Sequence, residues 1–197
     1  RAHAGISLSW FNEWSCQFWD RFEEASRQAY VHAHRALALD DGDGMLHLVI
    51  GKVLIYRHAF DQAAWYLDRA LALCPNDVDL LAQASMLEVY LGRPEAGVEH
   101  LERAMRLNPY HSNDYFGVGV FVHFFAGDVA RAVAMRDRSD TLPFVDAPAY
   151  GAAALARVGR MDEARADLAR FHDEHRAKIA FGRPVAAGDA MAWLMLN

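Results

Sequence analysis

Two imidazoles stand three residues apart in His172-Asp173-Glu174-His175, with carboxylates between them. On a helix that spacing brings both rings toward one side, an arrangement that binds a metal weakly. No third ligand is apparent, and a polar helix face accounts for the run. Asp40-Asp41-Gly42-Asp43-Gly44 imitates the opening of a calcium loop, but Gly51 stands where the bidentate glutamate belongs. A turn between helices explains it. His32 and His34 fall on different sides of a helix. Cys16 has no evident activating base, and Cys74 lies in a turn between helices. The Gly-x-Ser-x-Gly elbow and the phosphate-cradling Gly-x-x-x-x-Gly-Lys loop are both missing. No catalytic, metal or cofactor-binding residue is assigned. The sequence reads as a binding chain, not an enzyme.

Composition narrows the partners. A hydrophobic fraction of 53% supports a packed core, and only 6 prolines interrupt 197 residues, which favours helices. The net charge of -6 and the scatter of basic residues among acidic ones argue against a nucleic-acid surface. The most apolar run, Phe116 to Ala126, is broken by His123 and is too short to span a bilayer. Two distant cysteines fit a reduced, cytosolic setting. Both ends read as cut: Arg1-Ala2-His3-Ala4-Gly5 is uncapped, and the final stretch through Trp193 stops while still apolar. The expectation is a piece of a longer polypeptide.

The elements that position these residues come from an internal repeat. Arg35-Ala36-Leu37-Ala38-Leu39 recurs as Arg69-Ala70-Leu71-Ala72-Leu73 and as Arg103-Ala104-Met105-Arg106-Leu107, 34 residues apart each time. Pro75 and Pro109 follow in the same register. Upstream, Ala29, Ala63 and Gly97 keep it, as do Leu67 with Leu101, and Tyr56 with Tyr90 and Phe124. Gly51, Ser85 and Gly119 supply a small residue where two helices would approach closely. Apolar spacing predicts helices over 45–56, 60–73, 78–91, 114–125 and 129–137, with Pro94 opening another. Further helices are expected over 2–14, 23–39, 147–158 and 163–178, and a last one from about Ala186.

A helix-turn-helix unit of this period resembles the tetratricopeptide repeat (TPR). The resemblance covers nearly the whole chain. It implies an all-α, right-handed superhelical solenoid of about five repeats, at 1–43, 44–77, 78–111, 112–144 and 145–178, plus a terminal helix over 186–197. In that family the first helix of each pair lines a concave groove. Carried onto this chain, the lining includes Leu48, Lys52 and Tyr56, then Met86 and Tyr90, then Asn113, Phe116, Val120, His123 and Phe124. The family's chaperone-tail readers use a carboxylate clamp of lysine, asparagine and arginine. Only Lys52 and Asn113 resemble it, so that subtype is rejected. The expected ligand is instead an extended or helical apolar peptide. The recurring aromatics at Tyr56, Tyr90 and Phe124 serve equally as packing between helices.

A second candidate interface is the aromatic cluster of Trp10, Phe11, Trp14, Phe18 and Trp19. Such a cluster either builds a local mini-core against Tyr30 and Tyr56, or docks an upstream domain or a second copy of the chain. The units, the long first link and the closing stretch from Lys178 to Leu194 also resemble the C-terminal repeat regions of bacterial signalling proteins. Those proteins carry a cyclase or winged-helix domain ahead of the repeats. The resemblance implies a regulatory or scaffolding part that docks a protein partner, with neither nucleic acid nor membrane as a partner of this chain. The alternative is a structural or oligomerising spacer that packs on its own copies, a homodimer included.

Overall fold

Alternating apolar and amphipathic segments set the architecture. The computed structural model describes residues 2–15, 21–138 and 144–196. Among them are eleven helices and no strand. The chain divides into two compact units, Arg1–Arg93 and Pro94–Asn197.

The first unit holds α1 (Ala2–Ser15), α2 (Phe22–Leu39), α3 (Gly44–Tyr56), α4 (Phe60–Leu73) and α5 (Val78–Tyr90). Helix α3 is apolar on nearly every side and is buried along most of its length, as a helix hydrophobic all round must be. Helix α4 is amphipathic instead. It buries only Ala63, Leu67 and Ala70, a stripe at spacings of four and three, and leaves its charged side to solvent. One apolar cluster runs from Phe11 and Trp14 of α1 through Ala25, Ala29 and Ala33 of α2 and the bulk of α3 to Leu80, Ala84 and Leu87 of α5. Each fully buried leucine there contributes about 1.5–3 kcal/mol relative to exposure.

The second unit holds α6 (Pro94–Leu107), α7 (Asp114–Phe125), α8 (Val129–Asp137), α9 (Ala147–Arg157), α10 (Met161–Lys178) and α11 (Asp189–Leu196). The repeat register maps onto burial. Ala36, Ala70 and Ala104 are buried, as are Leu67 and Leu101, while the preceding Arg35, Arg69 and Arg103 are exposed. The helix-pair arrangement expected from the period is therefore present.

Caps explain the boundaries. Asp43 accepts from the Met45 amide, and Asp77 from those of Asp79 and Leu80, opening α3 and α5. The carboxylates of the calcium-like run act in this turn: Asp40 holds the Gly42 amide while Asp43 caps α3. Where paired helices turn, the chain passes through the left-handed region at Gly92, Gly127 and Gly159, and at His58 in the first instance. A bond from the next amide back to a carbonyl five residues earlier closes three of these turns, Ala59 to Leu54, Arg93 to Glu88 and Arg160 to Leu155. A side chain at His58 is unusual in that backbone region.

Three expectations shift. The last helix begins at Asp189 rather than near Ala186, because Gly188 takes a positive φ and the Asp189 carboxylate holds the Ala186 amide in a turn at 2.7 Å. Helix α10 begins at Met161, a half-turn before the expected 163. Close approach is real at Gly119, where a Cβ would lie 2.8 Å from the Met135 side chain, but not at Gly51, where the nearest atoms stand 3.6 Å away.

Candidate functional site

In the first unit, the inferred groove and the N-terminal aromatic cluster meet in one place. Tyr56, at the end of α3, sits edge-on to Phe11 at 4.9 Å and to Trp14 at 5.7 Å, and reaches Tyr90 at 6.4 Å. Phe11 and Trp14 are buried; Tyr56, Met86 and Tyr90 are half-buried and keep part of their surface open. Such edge-to-face pairs contribute about 0.5–1.5 kcal/mol each beyond the area they bury. Trp10 is half-buried beneath the Arg21 guanidinium at 5.6 Å. Phe18 and Trp19 lie outside the described residues.

Lys52 is the charged group of this face. It projects from α3 one turn before Tyr56, and its ammonium donates to Gln83 Oε1 of α5 at 2.6 Å. Burial of the ammonium lowers its pKa from 10.5 to about 8. Leu48, one turn earlier, is fully buried and offers a ligand no surface. The inferred groove residues of this unit that keep some exposed surface are Lys52, Tyr56, Met86 and Tyr90.

In the second unit, the corresponding face of α7 is more closed. Val120 is fully buried, and His123 is 1% exposed with both ring nitrogens buried and unpartnered. Burial lowers the His123 pKa, with nearby Asp128 opposing. Phe116 is buried beside His111 at 5.0 Å and below the Arg138 guanidinium, also at 5.0 Å. Phe124 is half-buried, 6.1 Å from Tyr150 and 5.7 Å from the Arg157 guanidinium. Asn113 is exposed at the N-cap of α7 and makes no side-chain cap bond. Asn113 and Asp114 at the start of α7 are exposed, as are Arg138 and Arg157, whose guanidiniums lie over Phe116 and Phe124.

Sequence reasoning missed Gln83, Arg138, Arg157 and Tyr150, which hold these faces. A signal did exist for Gln83. It lies 31 residues after Lys52, one repeat period less about one helical turn, and the same separation joins Arg136 to Asp167.

The His172–His175 run is a polar face only in part: Asp173 is exposed and His172 and Glu174 are half-buried, but His175 turns inward. His175 is 5% exposed and packs against Trp193 at 5.7 Å and Phe171 at 6.4 Å, with burial lowering its pKa. Among the described residues, no group of three or more His, Cys, Asp or Glu side chains is placed to hold a metal. Cys74 caps α4 and is a free thiol, and Cys16 lies outside the described residues. No helix among the described residues is long and apolar enough to cross a membrane.

No protein-family model and no curated protein matches this sequence. Solved structures do share its architecture. PilF of Pseudomonas aeruginosa is similar with a TM-score of 0.62 at 18% identity, over 100% of this chain and 83% of that one. YrrB, described as a TPR protein with an unusual peptide-binding site, gives 0.53 at 18% identity, over 89% and 90% of the two chains. MamA gives 0.57 at 18% identity, over 80% and 93%. Identities this low speak to architecture alone, and together with the 34-residue register they place the chain in the tetratricopeptide-repeat fold.

Proposed function

We propose that this chain is a protein-interaction module, and that the strip of Lys52, Tyr56, Met86 and Tyr90 in its first unit takes an apolar peptide segment. The observation that carries this reading is Lys52. A protein that needed only packing there would place a leucine; here an ammonium is kept in an apolar face with its pKa lowered to about 8. A peptide that covers the rings and sets a carboxylate or carbonyl on that ammonium would supply what Gln83 supplies only in part. Buried aromatic and thioether surface would provide most of the affinity. The peptide-binding site ascribed to YrrB, on the same fold, supports this choice of ligand class. The reading assigns no catalytic role and no cofactor.

The setting we infer is a regulatory or scaffolding part of a bacterial signalling protein in the cytoplasm, with any output chemistry in another domain. A spacer that packs on its own copies is the second reading, favoured by the exposure of Leu39 at 76% and Tyr110 at 96%.

The test is selection of a peptide from a displayed library, followed by fluorescence polarisation against variants. Tyr90→Ala should weaken the selected peptide by about tenfold or more, the effect of losing an aromatic anchor. Phe124→Ala, in the other unit, should leave the affinity within a factor of two. Unchanged binding by a Tyr90→Ala chain that retains its helical circular dichroism would remove the strip from consideration. Light scattering that shows a stable dimer, with no peptide selected, would favour the spacer.

A further inference from the structure

A cavity of about 380 Å³ lies in the second unit, between the end of α10 and the segment that leads into α11. Its walls differ in chemistry from those of the strip. His172, His175 and Arg176 line it from α10, Arg183 from the connecting segment, and Gly188 and Ala190 from the start of α11. His175 lines the cavity and is 5% exposed, and its Nδ1 is buried without a hydrogen-bond partner. The first amides of a helix have no acceptor within it and carry the positive end of its dipole.

The charges select the ligand. Two imidazoles three residues apart suggest a metal, but two guanidiniums share this cavity and repel cations. Arg176 is held in part by Asp173 at 2.8 Å, and Asp189 binds the Ala186 amide at the same helix start. Arg183 is exposed and lines the cavity from the connecting segment. We propose that this cavity binds a phosphate-type oxyanion, through Arg183 and Arg176, the His175 imidazole and the opening amides of α11. Donors arriving from three separate stretches of chain suit a tetrahedral group with three accessible oxygens better than a planar carboxylate.

NMR of the full chain at constant ionic strength provides the test, with inorganic phosphate and O-phosphoserine as probes. Resonances of the His172 and His175 imidazoles and of the Trp193 indole, which packs on His175, should shift and saturate. Whichever probe saturates at lower concentration identifies a free or an esterified phosphate as the source. Arg183→Gln should raise the dissociation constant about tenfold, the scale of one lost charge-assisted contact. Arg165→Gln, an exposed change on α10 away from the cavity lining, should leave it unchanged. If Arg183→Gln fails to fold, Arg176→Gln gives the same reading. Linear, unsaturable shifts, or equal weakening by Arg165→Gln, would overturn the proposal. So would saturation of the same imidazoles by zinc chloride or acetate without any response to phosphate.

Discussion

The two units of this chain solve the same stacking problem with different chemistry. In the first, one apolar cluster runs unbroken from α1 to α5, and rings meet ring on ring at Phe11, Trp14, Tyr56 and Tyr90. In the second, the described clusters are smaller: one gathers Ala132, Val133, Ala154, Leu155 and Ala164, and another centres on Val120 and Ala147. Charge does more there. Arg136 grips Asp167 with two parallel bonds, at 2.8 and 2.6 Å. Arg160 bridges Asp137 at 2.6 Å and also holds Glu163, and Arg131 pairs with Glu102. One repeat in this half, over 112–144, is also degenerate in sequence, with Ser139 in place of the closing alanine. A repeat that loses its alanine and leucine stripe needs another way to fix its neighbour's register, and directional ion pairs supply one.

The largest expected effect breaks the second unit's device. Asp167 is 5% exposed and Arg136 partly so, and Gly151 leaves room for them, since a Cβ there would stand 2.9 Å from Asp167 Oδ2. Asp167→Ala strands the guanidinium and should cost about 3 kcal/mol in urea denaturation followed by circular dichroism. Replacing both partners, as Asp167→Leu with Arg136→Met, should recover most of that loss. A single variant within about 0.5 kcal/mol of the parent would mean that the pair is decoration.

In the first unit the contrast predicts the opposite sign. Lys52 is a charge left among apolar side chains, so Lys52→Met should stabilise. The folded ammonium loses its proton near pH 8, whereas the unfolded one loses it near 10.5. Below pH 8 both states are protonated and the full burial cost is present. Between 8 and 10.5 the unfolded chain binds more protons, so native stability rises with pH; above 10.5 the cost is gone. The gain from Lys52→Met should be about 1–3 kcal/mol at pH 7, after losing the Gln83 bond, and should shrink across that window. A gain that stays level from pH 7 to 10.5 would show that the ammonium is not strained by burial.

Much of the fold could be read because its determinants are local and periodic. Phe60–Leu73, Asp114–Phe125 and Val129–Asp137 match the expected helices at both ends, since a turn or cap residue stood beside each apolar stripe. The candidate site was less legible. Burial is decided by the neighbouring repeat, so Leu48, Val120 and His123 could be placed on a helix face but not graded as open or closed. Tyr56 looked like a choice between groove and packing; its ring packs edge-on against Phe11, and the residue as a whole stays half-buried. The misjudged His175 has the same origin. Trp193 covers it from 18 residues away, and no local spacing announces that contact.

The smallest effect concerns the buried polar group of the second unit. His123 is 1% exposed inside the most apolar helix, with neither ring nitrogen partnered, and burial holds its pKa below the ordinary 6.5. Asp128 and Glu102 pull it upward and Arg131 downward, but burial comes first. A base with a lowered folded pKa keeps its full contribution above pH 6.5. Stability falls as pH drops from 6.5 toward the folded value, because the unfolded chain takes up the proton first. His123→Leu should therefore gain about 1 kcal/mol at pH 7.5, by removing unpaired nitrogens, and lose part of the acid sensitivity. His32, His34 and His175 are lowered in the same direction, so the variant retains an acid slope that is shallower by up to one proton. Urea midpoints from pH 7.5 to 5 read both effects at once. Parallel profiles for parent and variant would mean that His123 finds a partner in solution, and the contrast between an apolar first unit and a polar second one would then rest on the ion pairs alone.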